Sequence, residues 1–250
     1  MKKEKIAISV DKALLEMIDS AVDNVRITSR SQAISVLLQR ALEKQYVTQA
    51  VILLRKEHVP LLFENSDGKI VLEKQIEFLV ANGIEVIYLV TGDHYQLETV
   101  KNIFKKYKVA FHLILEKEHK GNVSALQILQ KELRNSFVLL NGDTLNTFSL
   151  KKMIHFHLKN DKLITIGLTI ASSKGYNTVD LEGDQIVAYK KNTAGKSSVI
   201  DAGIYICKPT LFSHFNKNTS VIEKDVLPIL CNQQHAQGYF TYGEYKHLGE

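Results

Sequence analysis

The sequence predicts an α/β protein in two parts. A small strand-helix-helix module occupies residues 1–46, and a larger domain with a mostly parallel sheet covered by helices occupies 49–250. Three observations predict this. The first ten residues end in a segment of period-2 alternation that leads into two amphipathic helical patterns. From Gln49 onward, apolar runs alternate with helical segments, the signature of strands joined by crossover helices. The 250 residues are 45% hydrophobic and 24% charged, which suffices for a packed core in the larger part. The short link Tyr46-Val47-Thr48 is the expected boundary.

Composition also excludes classes of function. No window approaches the roughly 18 consecutive apolar residues of a membrane span, and MKKEKIAISVDK lacks the apolar centre of a signal peptide. A cytoplasmic protein with no membrane partner is expected. The two cysteines, Cys207 and Cys231, sit in unrelated contexts and suit a reducing compartment rather than a disulfide or a metal cluster. The net charge of +5 is compatible with a nucleic-acid partner without demanding one.

In the module, KIAISV alternates Ile6, Ile8 and Val10 with Lys5, Ala7 and Ser9, as a half-buried strand does. Asp11 is a candidate N-cap for a helix that places Leu14, Leu15, Ile18, Ala21 and Val22 along one side. Ser29-Arg30-Ser31-Gln32 fits the capping-box pattern ahead of a second helix carrying Ala33, Ile34, Leu37, Leu38, Ala41 and Leu42. So few residues cannot bury a core alone, and a lone strand has no pairing partner, so dimerisation is expected. The order KIAISVDKALLEMID then SRSQAISVLLQRAL resembles the ribbon-helix-helix family of repressors. The resemblance implies a homodimer on double-stranded DNA, with Lys5, Ala7 and Ser9 facing the bases and Ser29, Arg30 and Ser31 holding a phosphate. The plainer reading is a dimerisation clip.

In the larger domain, strands are expected at AVILL (50–54), IEVIYLV (84–90), VAFHLIL (109–115) and SFVLL (136–140). Helices are expected near 69–82, 94–107, 122–134 and 149–159, followed by the hairpin TVDLEGDQIVAYKK, the strand VIDAGIYIC and a helix around VIEKDVLPIL. FVLLNGDT ends an apolar strand on Asn141-Gly142-Asp143, where ligands bind such sheets. His155 and His157 are two apart on a helix and do not share a face, so they read as structural. The segments AVILL, GKIVLEKQIEFL, VIYLVTGDH, FVLLNGDTL, DAGIYICKPTLF and SVIEKDVLPIL resemble, in order, the sugar-nucleotidyltransferases, which join a nucleoside triphosphate to a sugar 1-phosphate. A Rossmann-like sheet of nucleotidyltransferase type is implied.

That resemblance also implies catalytic groups, and several are replaced. The family's Gly-x-Gly-Thr-Arg loop after the first strand corresponds to LLRKEHVPLL, with no glycine, and its following Pro-Lys to Pro60-Leu61. Its Glu-Lys pair corresponds to Lys190-Lys191 and its Asn-Ala-Gly to Asp201-Ala202-Gly203. Its second metal carboxylate corresponds to His247, a poor partner for Asp143 on hard magnesium. The expectation is therefore a transcriptional regulator without catalysis, metal or cofactor. Its large domain would sense a nucleotide, sugar phosphate or nucleotide sugar through Gly142, Asp143, Lys191, Asp201 and Gly203, or support assembly. The alternative is an active sugar-1-phosphate nucleotidyltransferase dimerised by its N-terminal module, with magnesium and a phosphate loop built from Arg55, Lys56 and His58. A third reading is an interaction protein whose large domain meets another protein.

Overall fold

A computed structural model describes residues 7–23, 25, 27–45, 47–92, 97–116, 121–171, 175–190, 198–240 and 243–248. Two compact units divide the chain, Met1–Tyr46 and Val47–Glu250. In the first, α1 (Lys12–Ser20) and α2 (Arg30–Gln45) form where the amphipathic patterns place them. Asp11 caps α1, its Oδ1 accepting from Leu14 N–H at 2.8 Å. Only half of the expected capping box forms at α2. Ser29 Oγ accepts from Gln32 N–H at 3.2 Å, but Gln32 Oε1 accepts from Thr28 N–H at 2.9 Å rather than from Ser29.

The strand expected over residues 5–10 is not seen. Lys5 and Ile6 lie outside the described residues, and Ala7 to Val10 belong to no strand. The physical reason is pairing: the described residues of this unit supply no second strand to complete a ladder. Ile18 and Ala33 are buried, whereas Ile8, Val10, Leu14, Met17, Leu37 and Leu38 are exposed.

The second unit opens with β1 (Gln49–Leu54) and a 3₁₀ segment, Lys56–Phe63. A two-stranded hairpin of β2 (Asn65–Ser66) and β3 (Lys69–Ile70) leads into α3 (Val71–Ala81), β4 (Val86–Thr91), α4 (Leu97–Lys105) and β5 (Ala110–Leu115). Next come α5 (Asn122–Gln127), β6 (Phe137–Asn141), β7 (Thr144–Asn146), α6 (Leu150–Lys159) and β8 (Ile164–Ile170). The hairpin strands β9 (Thr178–Glu182) and β10 (Gln185–Lys190) precede the long β11 (Val199–Cys207). A 3₁₀ turn, a π-helical turn at Ile222–Val226, α7 (Leu227–Asn232), β12 (Ala236–Phe240) and β13 (Tyr245–His247) complete the order.

Among the described residues nine strands share one sheet in the order β5-β4-β1-β6-β11-β8-β12-β10-β9. β5, β4, β1 and β6 run parallel, while β11 is antiparallel to both β6 and β8. The apolar runs are continuous because both faces are covered. Along β1, Val51 and Leu53 join the core that contains α5 and α7 residues, and Ala50, Ile52 and Leu54 join the core with α3, α4 and α6 residues. β6 divides in the same way, with Phe137 and Leu139 against Val138 and Leu140.

Two helices differ from expectation. The helix expected over 122–134 ends at Gln127 and continues as tight turns, with Leu129 N–H bonded to Leu126 O at 3.0 Å, which set Leu129 and Leu133 into the core. VIEKDVLPIL is a π-helical turn running into α7. Pro228 has no N–H to give, so it suits the first turn of α7. Asp225 Oδ2 meanwhile takes the N–H groups of Ser220 and Val221 at 2.8 and 2.9 Å.

One buried polar side chain ties a helix to the sheet's working edge. Gln75, on the buried face of α3, donates Nε2–H to Gly142 O at 3.0 Å and to Thr144 O at 2.8 Å. Gly142 N–H in turn reaches Leu53 O at 2.7 Å, carrying the β1–β6 pairing one residue past the strand. Gln75→Leu keeps the volume and strands two carbonyls, so it is expected to cost about 1–3 kcal/mol. Urea unfolding followed by circular dichroism measures this, and an unchanged midpoint would contradict the assigned role.

Candidate active site at the strand ends

A cavity of about 510 Å³ crosses the carboxyl ends of the parallel strands. Its lining follows the strand order. Glu116 comes from the end of β5, Val90 and Gly92 from β4, Leu53 to Glu57 from β1 and Asn141 with Asp143 from β6; Gly121, Asn122 and Ala125 of the α5 region and Val221 with Glu223 of the π-helical turn close one side. Strand-end positions are fixed by the ladders beneath them, so the groups they carry are held in place.

Asp143 sits in the turn between β6 and β7. Its Oδ2 lies 2.9 Å from His58 Nδ1. A carboxylate can only accept there, so Nδ1 carries the hydrogen. His247 Nε2, from β13, is 3.8 Å from the same oxygen, within charge range but beyond a hydrogen bond. His247 sits opposite Thr144 in the β13–β7 pair, and Leu248 N–H bonds Asp143 O at 2.8 Å, so β13 backs the turn. Two imidazoles about one carboxylate oxygen do not fit the magnesium ion that the resemblance implies, because that ion takes oxygen donors. Among the described residues no group of three or more His, Cys, Asp and Glu side chains is arranged to hold a metal.

The remaining groups meet across chain-distant segments. Glu116 Oε1 accepts from Ser124 Oγ at 2.5 Å. Asn122 donates Nδ2–H to Glu223 Oε2 at 2.8 Å and accepts Ile222 N–H on Oδ1 at 2.8 Å. Gly121 has φ of +105°, and a Cβ on it would lie 2.2 Å from Ser220 O, so only glycine lets the start of α5 approach this closely. Among the described residues neither Arg55 nor Lys56 forms an ion pair.

The ligand residues expected from sequence fare differently. Asp143 lines the cavity. Gly142 does not, but a Cβ there would stand 2.7 Å from Leu54 Cδ1, so it lets the turn close on β1. Gly203, with φ of +66°, sits under Asn141 and Thr144, each 3.1 Å from where its Cβ would be. Lys191 lies outside the described residues. Asp201 is absent from the cavity wall and 6% exposed. Its Oδ2 accepts from Tyr189 and Tyr205 hydroxyls at 2.7 Å each, and its Oδ1 from Gly203 N–H at 2.8 Å. Both oxygens of Asp201, the residue expected to contact a sugar, thus serve contacts inside the fold.

Of the module's expected DNA contacts, Lys5 lies outside the described residues, while Ala7, Ser9, Ser29 and Ser31 are exposed. Arg30 is already committed as a fork to Asp19, with Nε to Oδ1 and Nη2 to Oδ2 both at 2.7 Å. Sequence reasoning missed Glu116, Asn122 and Glu223. Glu223 lay inside the quoted segment SVIEKDVLPIL, but the other two share no local signature with it and meet only in the fold.

The model of the family described as Nucleotidyl transferase matches residues 53–245. The chain belongs to this nucleotidyl transferase family. A mannose-1-phosphate guanyltransferase of Eremothecium gossypii is 26% identical over 192 residues, covering 70% of this chain and 52% of that protein. A D-glycero-alpha-D-manno-heptose 1-phosphate guanylyltransferase of Aneurinibacillus thermoaerophilus is 25% identical over 171 residues, covering 64% of this chain and 74% of that one. The chain spans about half the length of the mannose-1-phosphate guanyltransferases it matches. Among solved structures, HddC from Yersinia pseudotuberculosis complexed with GMP-PN superposes with a TM-score of 0.67 at 20% identity, over 81% of this chain and 94% of that one. The UDP-glucose pyrophosphorylase of Acinetobacter baumanii gives 0.67 at 14% identity, over 81% and 88%.

These relatives carry the names of transferases, which overturns two expectations from sequence, the transcriptional regulator and the pseudoenzyme without catalysis. The pseudoenzyme had rested on the missing glycine loop and the histidine in place of a carboxylate, and the regulator on those losses together with the ribbon-helix-helix resemblance of the N-terminal module. No helix among the described residues is long and apolar enough to cross a membrane.

The Asp201 network in this nucleotidyl transferase domain carries a pH signature. Burial, with the nearby Glu223 carboxylate adding to it, pushes the Asp201 carboxyl up to about 6 from 3.8, against the hydrogen bonds from Tyr189, Tyr205 and Gly203 that lower it. A carboxyl whose folded pKa is raised contributes stability fully below its unfolded pKa and loses that contribution as pH climbs through the folded one. Wild type is therefore expected to lose about 2–3 kcal/mol relative to Asp201→Asn as pH rises from about 4 to about 7. Urea midpoints of both proteins across that range check the sign, and a pH-independent difference would contradict it.

Proposed function

We propose that the chain transfers a nucleotidyl group from a nucleoside triphosphate to a sugar 1-phosphate, with guanosine as the nucleoside. The observation that carries this reading is one cavity spanning four parallel strand ends, with Arg55 and Lys56 at the end of β1, Asp143 at the end of β6 and Glu116 at the far end, after β5. Phosphates belong beside the cations in the middle. The base then falls on the β4–β5 side and the acceptor sugar toward Asn122, Glu223 and Asp143.

Glu116 supports guanine. Ser124 pins one of its oxygens, and a fixed carboxylate can only accept hydrogen bonds. Guanine presents N1–H and N2–H₂ side by side, whereas uracil and thymine present one N–H between two carbonyl oxygens that a carboxylate repels. The guanylyltransferase names of the relatives support the same base. In the transfer, an oxygen of the sugar 1-phosphate forms a bond to the α-phosphorus while the bond to the β-phosphate oxygen breaks and pyrophosphate leaves. Fixed cations at the β1 end would stabilise the charge that develops on the leaving group.

Pyrophosphate release from GTP, UTP and dTTP with a panel of sugar 1-phosphates tests the reading. Turnover is expected to require the sugar phosphate and to favour GTP about tenfold or more in kcat/KM. Glu116→Gln is expected to narrow that preference by about tenfold. No pyrophosphate from any triphosphate with any acceptor would refute the activity.

The N-terminal unit supports pairing with a second copy of the chain. It exposes Ile8, Val10, Leu14, Met17, Leu37 and Leu38, and a unit of this size buries too little apolar surface to be stable alone. The segment Ala7–Val10, which belongs to no strand within one copy, would find a pairing partner across the dimer. Light scattering on the full chain is expected to give a dimer mass, and Leu14→Glu with Met17→Glu a monomer. A monomeric wild type would refute this pairing.

A further inference from the structure

The segment that follows β1 is built unlike a glycine loop. Arg55, Lys56 and Glu57 line the cavity as the chain leaves the strand. The next residues form the 3₁₀ segment Lys56–Phe63, with Val59 and Leu62 buried at 4% and 1% exposure. These two side chains anchor one side of the segment in the core that also holds α3. His58 lies between the lining residues and the first anchor, and its Nδ1–H reaches Asp143 Oδ2 at 2.9 Å across 85 positions of sequence. The segment is therefore fixed at both the core and the cavity. A glycine loop binds phosphates through successive backbone N–H groups held in turn conformations, and at a closeness of approach, that glycine allows without steric cost. Here the segment holds no glycine and is wound into a 3₁₀ helix, and what it brings to the cavity wall is the cationic pair Arg55 and Lys56.

Arg55 and Lys56 are the two cationic side chains among the described residues on the cavity wall, against the carboxylates of Glu57, Glu116, Asp143 and Glu223. Three of those carboxylates are already engaged, Glu116 by Ser124, Glu223 by Asn122 and Asp143 by His58. The imidazole N–H on Asp143 thus does two things. It holds Arg55 and Lys56 at the mouth of the cavity, and it offsets the repulsion Asp143 would exert on an incoming phosphate.

We propose that Arg55 and Lys56 form a side-chain phosphate clamp in place of a glycine loop, latched over the strand ends by the His58–Asp143 hydrogen bond. This rests on the nucleotide site argued above and makes His58 a positioning residue.

Isothermal titration calorimetry on the full chain, with GTP and with guanosine as probes, tests the clamp. His58→Ala is expected to weaken GTP about tenfold, while guanosine, which has no phosphate, binds as to wild type. His58→Gln, which keeps an N–H donor at similar reach, is expected to recover GTP affinity to within about threefold of wild type. Arg55→Ala is expected to weaken GTP by about tenfold as well, again without effect on guanosine. GTP affinity unchanged in His58→Ala, or equal losses for GTP and guanosine, would overturn the latch while leaving the transferase reading intact. A wild-type protein that binds neither GTP nor guanosine would overturn the transferase reading itself.

Discussion

The contact on which the site depends is the seam between β1 and β6. Side by side and parallel, these strands deliver Arg55 and Asp143 to the same edge from positions far apart in sequence. The seam extends beyond the regular ladder through Gly142 N–H to Leu53 O, and α3 locks it through the carboxamide of Gln75. Glycine suits both 142 and 203, because a Cβ at 142 would press on Leu54 and residue 203 has φ of +66°. The backbone of the Asn141–Thr144 turn is thus defined from four sides: β1, α3, β11 and β13. Preorganisation of this kind is what electrostatic catalysis at a phosphate needs.

Around that fixed turn the family's usual groups have been exchanged, and the exchanges are mutually consistent. A backbone loop gives way to a 3₁₀ segment anchored by Val59 and Leu62. The oxygen that would face a metal ion instead accepts from His58, with His247 beyond it. The asparagine expected after the hairpin is Asp201, which turns inward to two tyrosine hydroxyls. Each loss viewed alone argues against catalysis. Taken together with the cavity and the transferase relatives, they accord with the proposed site, in which side chains would do what backbone amides do elsewhere.

The layered fold was legible in the sequence because the governing signals are local. Apolar runs such as AVILL and SFVLL are buried on both faces, and a run bounded by polar turns is how such a strand must read. The hairpin and the strand-end position of Asp143 were legible for the same reason. The site was only partly legible. Glu116 meets Ser124 within a short span, but Asn122 and Glu223 are joined across 101 positions, and no periodicity records such a contact. At Asp201 the residue type suits a ligand contact equally well as an internal acceptor, and its burial and hydrogen bonds to Tyr189, Tyr205 and Gly203 could not be read from sequence. Function was misjudged from missing motifs together with the resemblance of the N-terminal module to repressors. Absence of a glycine loop excludes one way of binding phosphate and leaves others open.

If the strand-end cavity is the nucleotide site, binding must quiet the backbone around it before any chemistry occurs. Amide hydrogen exchange with and without GTP measures this most directly, since protection reports local opening in the native state. The account predicts slower exchange at residues 53–58, at 116, over 121–125 and over 141–143, with the β9–β10 hairpin unaffected. Unchanged exchange along those segments at saturating GTP, or protection confined to other parts of the chain, would contradict it.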